Sequence, residues 1–409
     1  MTEQAPKKRP WVWSLPPNVW ALGWVSFFTD VSTEIVYPLL PVFLTVTLGA
    51  STAFVGLVEG IAESTASLLK VASGWWSDRQ KRRKPLIIAG YGLSALTRPM
   101  MALALTGWQV LGARFIDRIG KGIRSAPRDA MLAASVPPDQ RGAAFGVQRM
   151  MDNAGAVAGP LLAWIVLQWV TTDFRLLFWI AAVPMIGALG MLIFGAREQA
   201  RPPVAIVEAA PVPFRATSGF KSYLGSVLLF TLGNSSDAFL LLRAQSTGIP
   251  TSSLPLLWMA FNAVKAVSSY PAGFLSDRIG RSGLILGGWC VYALVYLGFG
   301  FASEAWHSWA LFLAYGIFYG MTESSERALV ADFYPEAQRG RAYGAYHFVT
   351  GIASLPASLL MGWLWSVAGP AVAFATGAGF ALAASVWFGV VVRPQRRGSR
   401  AAGISPAAS

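Results

Sequence analysis

Residues 74–84 read GWWSDRQKRRK and residues 273–281 read GFLSDRIGR. In both, an apolar run ends on Gly-x-x-Ser-Asp-Arg and turns basic, and the second copy lies 199 residues after the first. A second pair of loops repeats the relation: Pro138-Asp-Gln-Arg141-Gly142 returns as Pro335-Glu-Ala-Gln-Arg339-Gly340, 197–198 residues on. Matches at two separate loops with nearly one offset make the chain an internal duplication.

The duplicated unit is apolar. Of 409 residues 54% are hydrophobic and 13% charged, and the mean hydropathy is +0.49. Ordinary soluble domains carry roughly twice that charge, so a water-soluble enzyme is excluded. Cutting the apolar runs at polar and Gly/Pro positions gives twelve spans: 18–45, 52–76, 85–106, 108–133, 143–170, 175–196, 220–243, 251–275, 284–303, 307–333, 342–367 and 370–391. Runs of about 20–25 residues are long enough as helices to cross a hydrocarbon layer about 30 Å thick. The predicted fold class is an all-α membrane protein of twelve transmembrane helices in two pseudo-symmetric six-helix bundles. The predicted organisation is an N-terminal tail (1–17), a first bundle (18–196), a linker rich in Pro and Ala (197–219), a second bundle (220–391) and a C-terminal tail (392–409). Two such repeats facing each other enclose a cavity near the midplane, the layout of alternating access.

The net charge of +13 is topological. Of 33 Lys and Arg, 21 fall in the tails and in alternate loops: 7–9, 79–84, Arg141, 197–221, Arg278 and Arg281, Arg339 and Arg341, and 393–400. That asymmetry predicts a cell inner (cytoplasmic) membrane protein with both termini and the linker in the cytoplasm, and no nucleic-acid partner. Lys81–Lys84 are expected to touch anionic lipid. The first 16 residues lack a short apolar core with a small-residue cleavage site, so no cleaved signal peptide is expected. One cysteine, Cys290, and two histidines, His307 and His347, leave no disulfide framework or metal spacing, and no Ser/His/Asp set or Walker lysine loop occurs. No enzyme, cofactor or metal site is expected.

Gly74-x-x-x-Asp78-Arg79-x-Lys81-Arg82-Arg83 resembles the loop between helices 2 and 3 of the major facilitator superfamily, with Lys81 where that pattern prefers Gly; Asp277-Arg278-Ile-Gly280-Arg281 keeps the Gly. Arg118-x-x-Lys121-Gly122 resembles the superfamily's helix 4 pattern Arg-x-x-Gln-Gly. Gly155-x-x-x-Gly159-Pro160 resembles the helix 5 motif of its proton-coupled antiporters, with Ala163-Trp164 in place of the closing Gly pair. The resemblance covers essentially the whole chain and implies a monomeric secondary transporter. It also implies that Asp78 meets the N-terminus of a helix of the opposite half when the cytoplasmic side is closed, where a helix dipole favours an anion. Gly74, Asp78, Arg79, Arg83, Asp129, Asp277 and Arg278 form the candidate gating set, with Asp129 facing Arg79 or Arg83. Gly155, Gly159 and Pro160 are candidate packing residues that let helix 5 approach a neighbour.

Within the spans, ionisable residues need a partner, a wet cavity or a task. Arg114, Asp117, Arg118, Lys121, Arg124 and Arg128 fall on one face of the helix over 108–133 by 100° per residue. Glu59, Glu63 and Lys70 share a face of the second span, with Lys70 and Arg98 able to answer the acids; Asp30 and Glu34 lie one turn apart in the first, and Arg149 and Asp152 in the fifth. Either these groups neutralise one another as structural ion pairs, or the excess of bases forms a site for an anionic group, with Arg118, Lys121, Arg124, Arg149 and Asp152 as substrate-binding candidates. Asp237, placed at about the position equivalent to Glu34, has no base within a turn; it is either satisfied by Asn234, Ser235 or Ser236, or carries a proton in each cycle. Asp30, Glu34 and Asp237 are the candidate proton-coupling set, whose partners would be protons and a small-molecule substrate. Proton-coupled efflux of a small organic solute is the leading expectation. Uptake or exchange of an organic anion, divalent-cation efflux and a transport-inactive membrane sensor are the alternatives.

Overall fold

A computed structural model of the chain describes residues 15–79, 82–137, 140–198 and 214–392, apart from the side chains of residues 70–79, 273, 274, 277, 336 and 337. Helices dominate, and no strand occurs among the described residues. They are α1 (Pro17–Thr47), α2 (Thr52–Arg79), α3 (Lys84–Ala102), α4 (Gly107–Ala134), α5 (Arg141–Trp169), α6 (Phe174–Gly195), α7 (Ser218–Ser246), α8 (Leu254–Ile279), α9 (Arg281–Phe301), α10 (Ala305–Asp332), α11 (336–368) and α12 (370–392). α11 and α12 meet at Gly369, whose φ of 84° is open to glycine and which Pro370 follows as a helix starter.

Among the described residues seven stretches suffice by length and composition to cross a membrane: α1, the first 18 residues of α2, α5, α6, α7, α9 and the joined α11–α12. α4 misses that measure because six ionisable residues lie between Arg114 and Arg128. Such a helix enters a membrane only when its neighbours cover its charges.

Two helices are broken. Pro38 and Pro41 remove backbone donors in α1, which tightens to a 3₁₀ turn at Tyr37–Leu39 and widens over Phe43–Thr47. The 220–243 span is not one helix: α7 stops at Gly233, leaves helical geometry over Asn234-Ser-Ser-Asp237 and resumes at Ala238. Asn, Ser and Asp compete for their own backbone and favour such a gap.

The duplication recurs contact by contact at an offset of 198 residues. Thr106 and Gln109 form a capping box at the start of α4, as Glu304 and His307 do at the start of α10. The Arg83 guanidinium donates to the Ala130 carbonyl (3.2 Å), and that of Arg281 to the Ala328 carbonyl (3.0 Å). A Cβ added to Gly90 would meet the Gly120 carbonyl and Arg124; one added to Gly288 would meet Phe318 O and Thr322. At this offset Asp237 corresponds to Leu39, in the α1 break, one turn beyond Glu34.

Within the first half α1 packs on α5 and α6, and α4 on α2 and α3; within the second α7 packs on α12, and α10 on α8 and α9. Across the halves α2 packs on α11 and α5 on α8, a pairing that the duplication maps onto itself. Successive helices alternate in direction. The loops at 48–51, 103–106, 170–173, 247–253, 302–304 and Gly369 therefore gather at one end, the distal face. The other helix ends, among them those of α6 and α7 on either side of the linker, gather at the opposite end, the linker face.

At the distal face the two halves meet by close backbone approach. Thr52 Oγ1 donates to the Gly362 carbonyl (3.4 Å) and Gln168 Nε2 to Ser252 Oγ (3.1 Å). A Cβ on Gly56 would lie 2.3 Å from the Ser358 carbonyl, and one on Gly60 2.9 Å from Leu355.

Gly155 and Gly159 seat α5 on α1: a Cβ at Gly155 would lie 2.6 Å from the Phe27 carbonyl, and one at Gly159 2.7 Å from that of Val31. Both positions are helical, so alanine's gain in helix propensity, about 1 kcal/mol, opposes an overpacking cost of about 1–3 kcal/mol. Gly155→Ala and Gly159→Ala should lower the thermal denaturation midpoint of the detergent-solubilised protein. Gly146→Ala, where a Cβ meets nothing within 4 Å, should leave it unchanged or raise it.

Candidate functional site

Between the halves lies a cavity of about 280 Å³. Tyr37 of α1 and Glu63 of α2 line it from the first half; the α7 break (Asn234–Asp237), Trp289, Tyr319, Glu326 and Tyr346 line it from the second, with Ser and Thr hydroxyls of α11. The α7 break exposes Asp237, which a continuous helix would hold against its neighbours.

Two of its carboxylates are held by neutral donors. Tyr315 Oη donates to Asp237 Oδ1 at 2.6 Å. Glu326 accepts from Trp289 Nε1 (2.9 Å) and from Tyr346 Oη (2.7 Å). The third, Glu63, pairs with Arg118 at 3.0 Å. A carboxylate bonded only by neutral donors keeps its charge uncancelled, and can take up a proton without stranding a cation.

The bases of the first half are answered differently. Arg114 Nη2 donates to both oxygens of Glu59 at 2.7 Å, and both side chains are almost wholly buried. Glu59 also accepts a longer bond from Ser236 Oγ (3.4 Å), across the halves. Arg98 faces Asp117 (3.8 Å) and donates to Ser32 and Thr33 (3.0 Å each). Arg124 donates to Ser94 Oγ and lies over the Tyr91 ring, 4.4 Å from its centroid. Arg128 pairs with Asp129 (3.0 Å) and donates to Ser26 Oγ (3.2 Å). The acids Glu59 and Glu63 thus meet Arg114 and Arg118, and not Arg98, because α2 and α4 pack side by side and present their charged faces to each other.

Among the other sequence candidates, Asp30 and Glu34 lie where α1 presses on Gly155 and Gly159. Trp258 Nε1 donates to Glu34 Oε2 at 2.6 Å from the opposite half. Lys121 and Asp152 are partly buried, and Arg149 is exposed. Arg118, Lys121, Arg124, Arg149 and Asp152 lie outside the cavity lining, so the structure gathers carboxylates and hydroxyls there in place of the expected bases. Asp129 turns to Arg128, while Arg83 serves the end of α4; the side chains of Gly74, Asp78, Arg79 and Asp277 lie outside the described residues, and Arg278 is exposed. Glu326, Tyr315, Trp289 and Tyr346 escaped the sequence reading. Glu326 is an intramembrane acid, the one signal that marked it.

The sequence model of the Major Facilitator Superfamily matches residues 22–242 and again 223–407. An uncharacterized MFS-type transporter of Methanocaldococcus jannaschii is 33% identical over 375 residues, 90% of this chain and 93% of that one. The multidrug resistance protein MdtH of Salmonella arizonae is 30% identical over 149 residues, 36% of each chain. Among solved structures, a bacterial homolog of the human lysosomal transporter Spinster, inward-facing and unoccupied, superposes with a TM-score of 0.70 at 15% identity, covering 92% of this chain and 95% of that one.

The Glu59–Arg114 pair gives a direct test of the structural role. Arg114→Met strands a buried carboxylate, at a cost of about 3–5 kcal/mol, and should sharply reduce folded yield. Adding Glu59→Leu should restore most of it. Size-exclusion yield and thermal denaturation of the three proteins check this.

Proposed function

The chain belongs to the major facilitator superfamily, and on that premise we propose that it exports a small organic solute in exchange for protons. The two bundles, 18–196 and 220–391, alternate about the central cavity. The observation that carries this reading is the cavity lining: carboxylates from both halves, two of them held only by neutral donors, enclosed among aromatic and hydroxyl side chains. A proton carrier has to gain and lose its proton without losing its seat, and Asp237 on Tyr315 meets that requirement. Asp237 is therefore the leading coupling residue in this reading, with Asp30 and Glu34 beside the α1–α5 contact.

The partial likeness to a multidrug resistance protein supports efflux. The anionic alternative drew on Arg118, Lys121 and Arg124; Arg118 sits on Glu63, Arg124 on Ser94 and the Tyr91 ring, and none of the three lines the cavity, which favours the carboxylate-lined reading. Basic residues at the linker face, Arg83, Lys84, Arg281 and Arg339, favour that face in the cytoplasm. Contacts between the halves at the distal face fit a form whose cavity loads from the linker face, as an exporter requires. The monomer, the inner membrane and contacts with anionic lipid belong to the same proposal.

Proteoliposomes with an acidic lumen should accumulate substrate from a panel of organic cations, neutral solutes and anions, and a protonophore should abolish the accumulation. Asp237→Asn should eliminate gradient-driven accumulation while substrate counterflow persists, because exchange needs no net proton movement. Accumulation that survives the protonophore would contradict proton coupling.

A further inference from the structure

Glu34 and Trp258 belong to opposite halves, α1 and α8, and their 2.6 Å bond is framed on both sides. On the α1 side, a Cβ at Gly159 would lie only 2.9 Å from Glu34 Cβ, so α5 presses on the turn that carries the carboxylate. On the α8 side, Trp258 is 4% exposed, its ring 5.0 Å from Tyr37 and 4.7 Å from Phe261 between centroids. Trp258 stands in the second turn of α8 counted from the distal face, where α8 also meets α5. Neither side chain lines the cavity, so the bond has no place in holding substrate. Opening the distal face separates α1 from α8 and must break it.

We infer that this bond is a proton-sensitive latch on the distal gate: ionised Glu34 holds the distal face shut through the Trp258 indole, and protonation of Glu34 releases it. The inference rests on the proton-coupled reading above. An indole N–H bound to a carboxylate is roughly twice as strong as one bound to a neutral acceptor, so loss of the charge should change the closed-to-open ratio about tenfold. Other charged groups face the pair. Arg118 and Lys121 of α4 and Lys265 of α8 act on Glu34, while Asp30 of α1 lies beside Asp152 of α5 and Arg128 of α4. Glu59 and Glu63 of α2 and Asp237 of α7 act on the neighbouring Tyr37. α6 meets α1 through Phe28 and Gly187. The sign of the latch suits an antiporter. Once the proton has left to the linker side, ionised Glu34 keeps the empty protein from reopening distally; the protonated protein opens without breaking a charged bond, whereas the substrate-loaded one has to break it at the expense of substrate binding energy.

The test uses the full chain in lipid nanodiscs with Cys290→Ala and spin labels at Leu105→Cys and Ser303→Cys, both in exposed distal loops of opposite halves. Pulsed electron–electron distances are recorded from neutral to acidic pH. In the labelled background the distal separation should lengthen as pH falls. Trp258→Phe keeps a ring against Tyr37 but has no N–H; Glu34→Gln keeps the shape but has no charge. Each should shift the population about tenfold toward the open distance at neutral pH and reduce the pH response. The two variants alter different helices, and circular dichroism reports whether each is folded. A Trp258→Phe protein with the midpoint and amplitude of the background would overturn the latch, as would a background without any pH response. Proton-driven accumulation measured on the same proteins separates the two levels: accumulation retained alongside an unchanged Trp258→Phe response removes the latch and leaves proton coupling standing, whereas no accumulation in the background removes both.

Discussion

A charged side chain in hydrocarbon must be matched, and this chain matches its buried acids by two means. In the first half, bases meet acids: Arg114 on Glu59, Arg118 on Glu63, Arg98 on Asp117 and Arg128 on Asp129. Arg114–Glu59 and Arg98–Asp117 are buried, so removing one member leaves a buried charge, and with Arg118 on Glu63 they tie α2, α3 and α4 together. In the second half, Asp237 and Glu326 are met by Tyr315, Trp289 and Tyr346. Neutral donors orient a carboxylate without cancelling its charge, which leaves it able to titrate. Both kinds of carboxylate face one cavity, Glu63 on its arginine and Asp237 and Glu326 on neutral donors.

Movement between the halves depends on how closely their helices approach. Gly56, Gly60 and Gly362 bring α2 and α11 within backbone contact near the distal face. Contacts of this kind depend on shape more than on hydrophobic burial, which provides little drive between helices in lipid. They hold while surfaces fit and yield as a unit when the halves rock. Polar bonds across the same seam, Trp258 to Glu34 and Ser236 to Glu59, add direction and charge sensitivity to a contact otherwise made of shape.

Much of the fold was legible in the sequence because hydrophobic span length and duplicated loops are local signals. The repeat seen in the Gly-x-x-Ser-Asp-Arg and Arg-Gly loops reappears as equivalent caps and arginine contacts. Gly155 and Gly159 stood out in the sequence as a small-residue spacing, whereas the helix they lie against, α1, is visible only in the structure. The α7 break was missed because a 220–243 apolar span hides a four-residue polar gap, and hydropathy averages over it. The site was less legible. Helical projection places charges on a face of their own helix and says nothing of which helix lies opposite, so the pairing of α4 with α2 was open. Glu326 stands beside Glu323 and Arg327, which pair at 3.2 Å one turn apart, whereas its own aromatic partners Trp289 and Tyr346 are distant in sequence.

The central claim is that one cavity serves both faces in turn. A single cysteine at Thr350, on the α11 wall of that cavity, in a Cys290→Ala background tests it directly. In oriented membranes a membrane-impermeant maleimide should label it from the linker face at rest, and from the distal face as well once substrate and a pH gradient drive turnover. A cysteine at Leu294, on an exposed face of α9, should react from neither. Labelling of the Thr350 position from one face only under every condition, or from neither, would contradict the account.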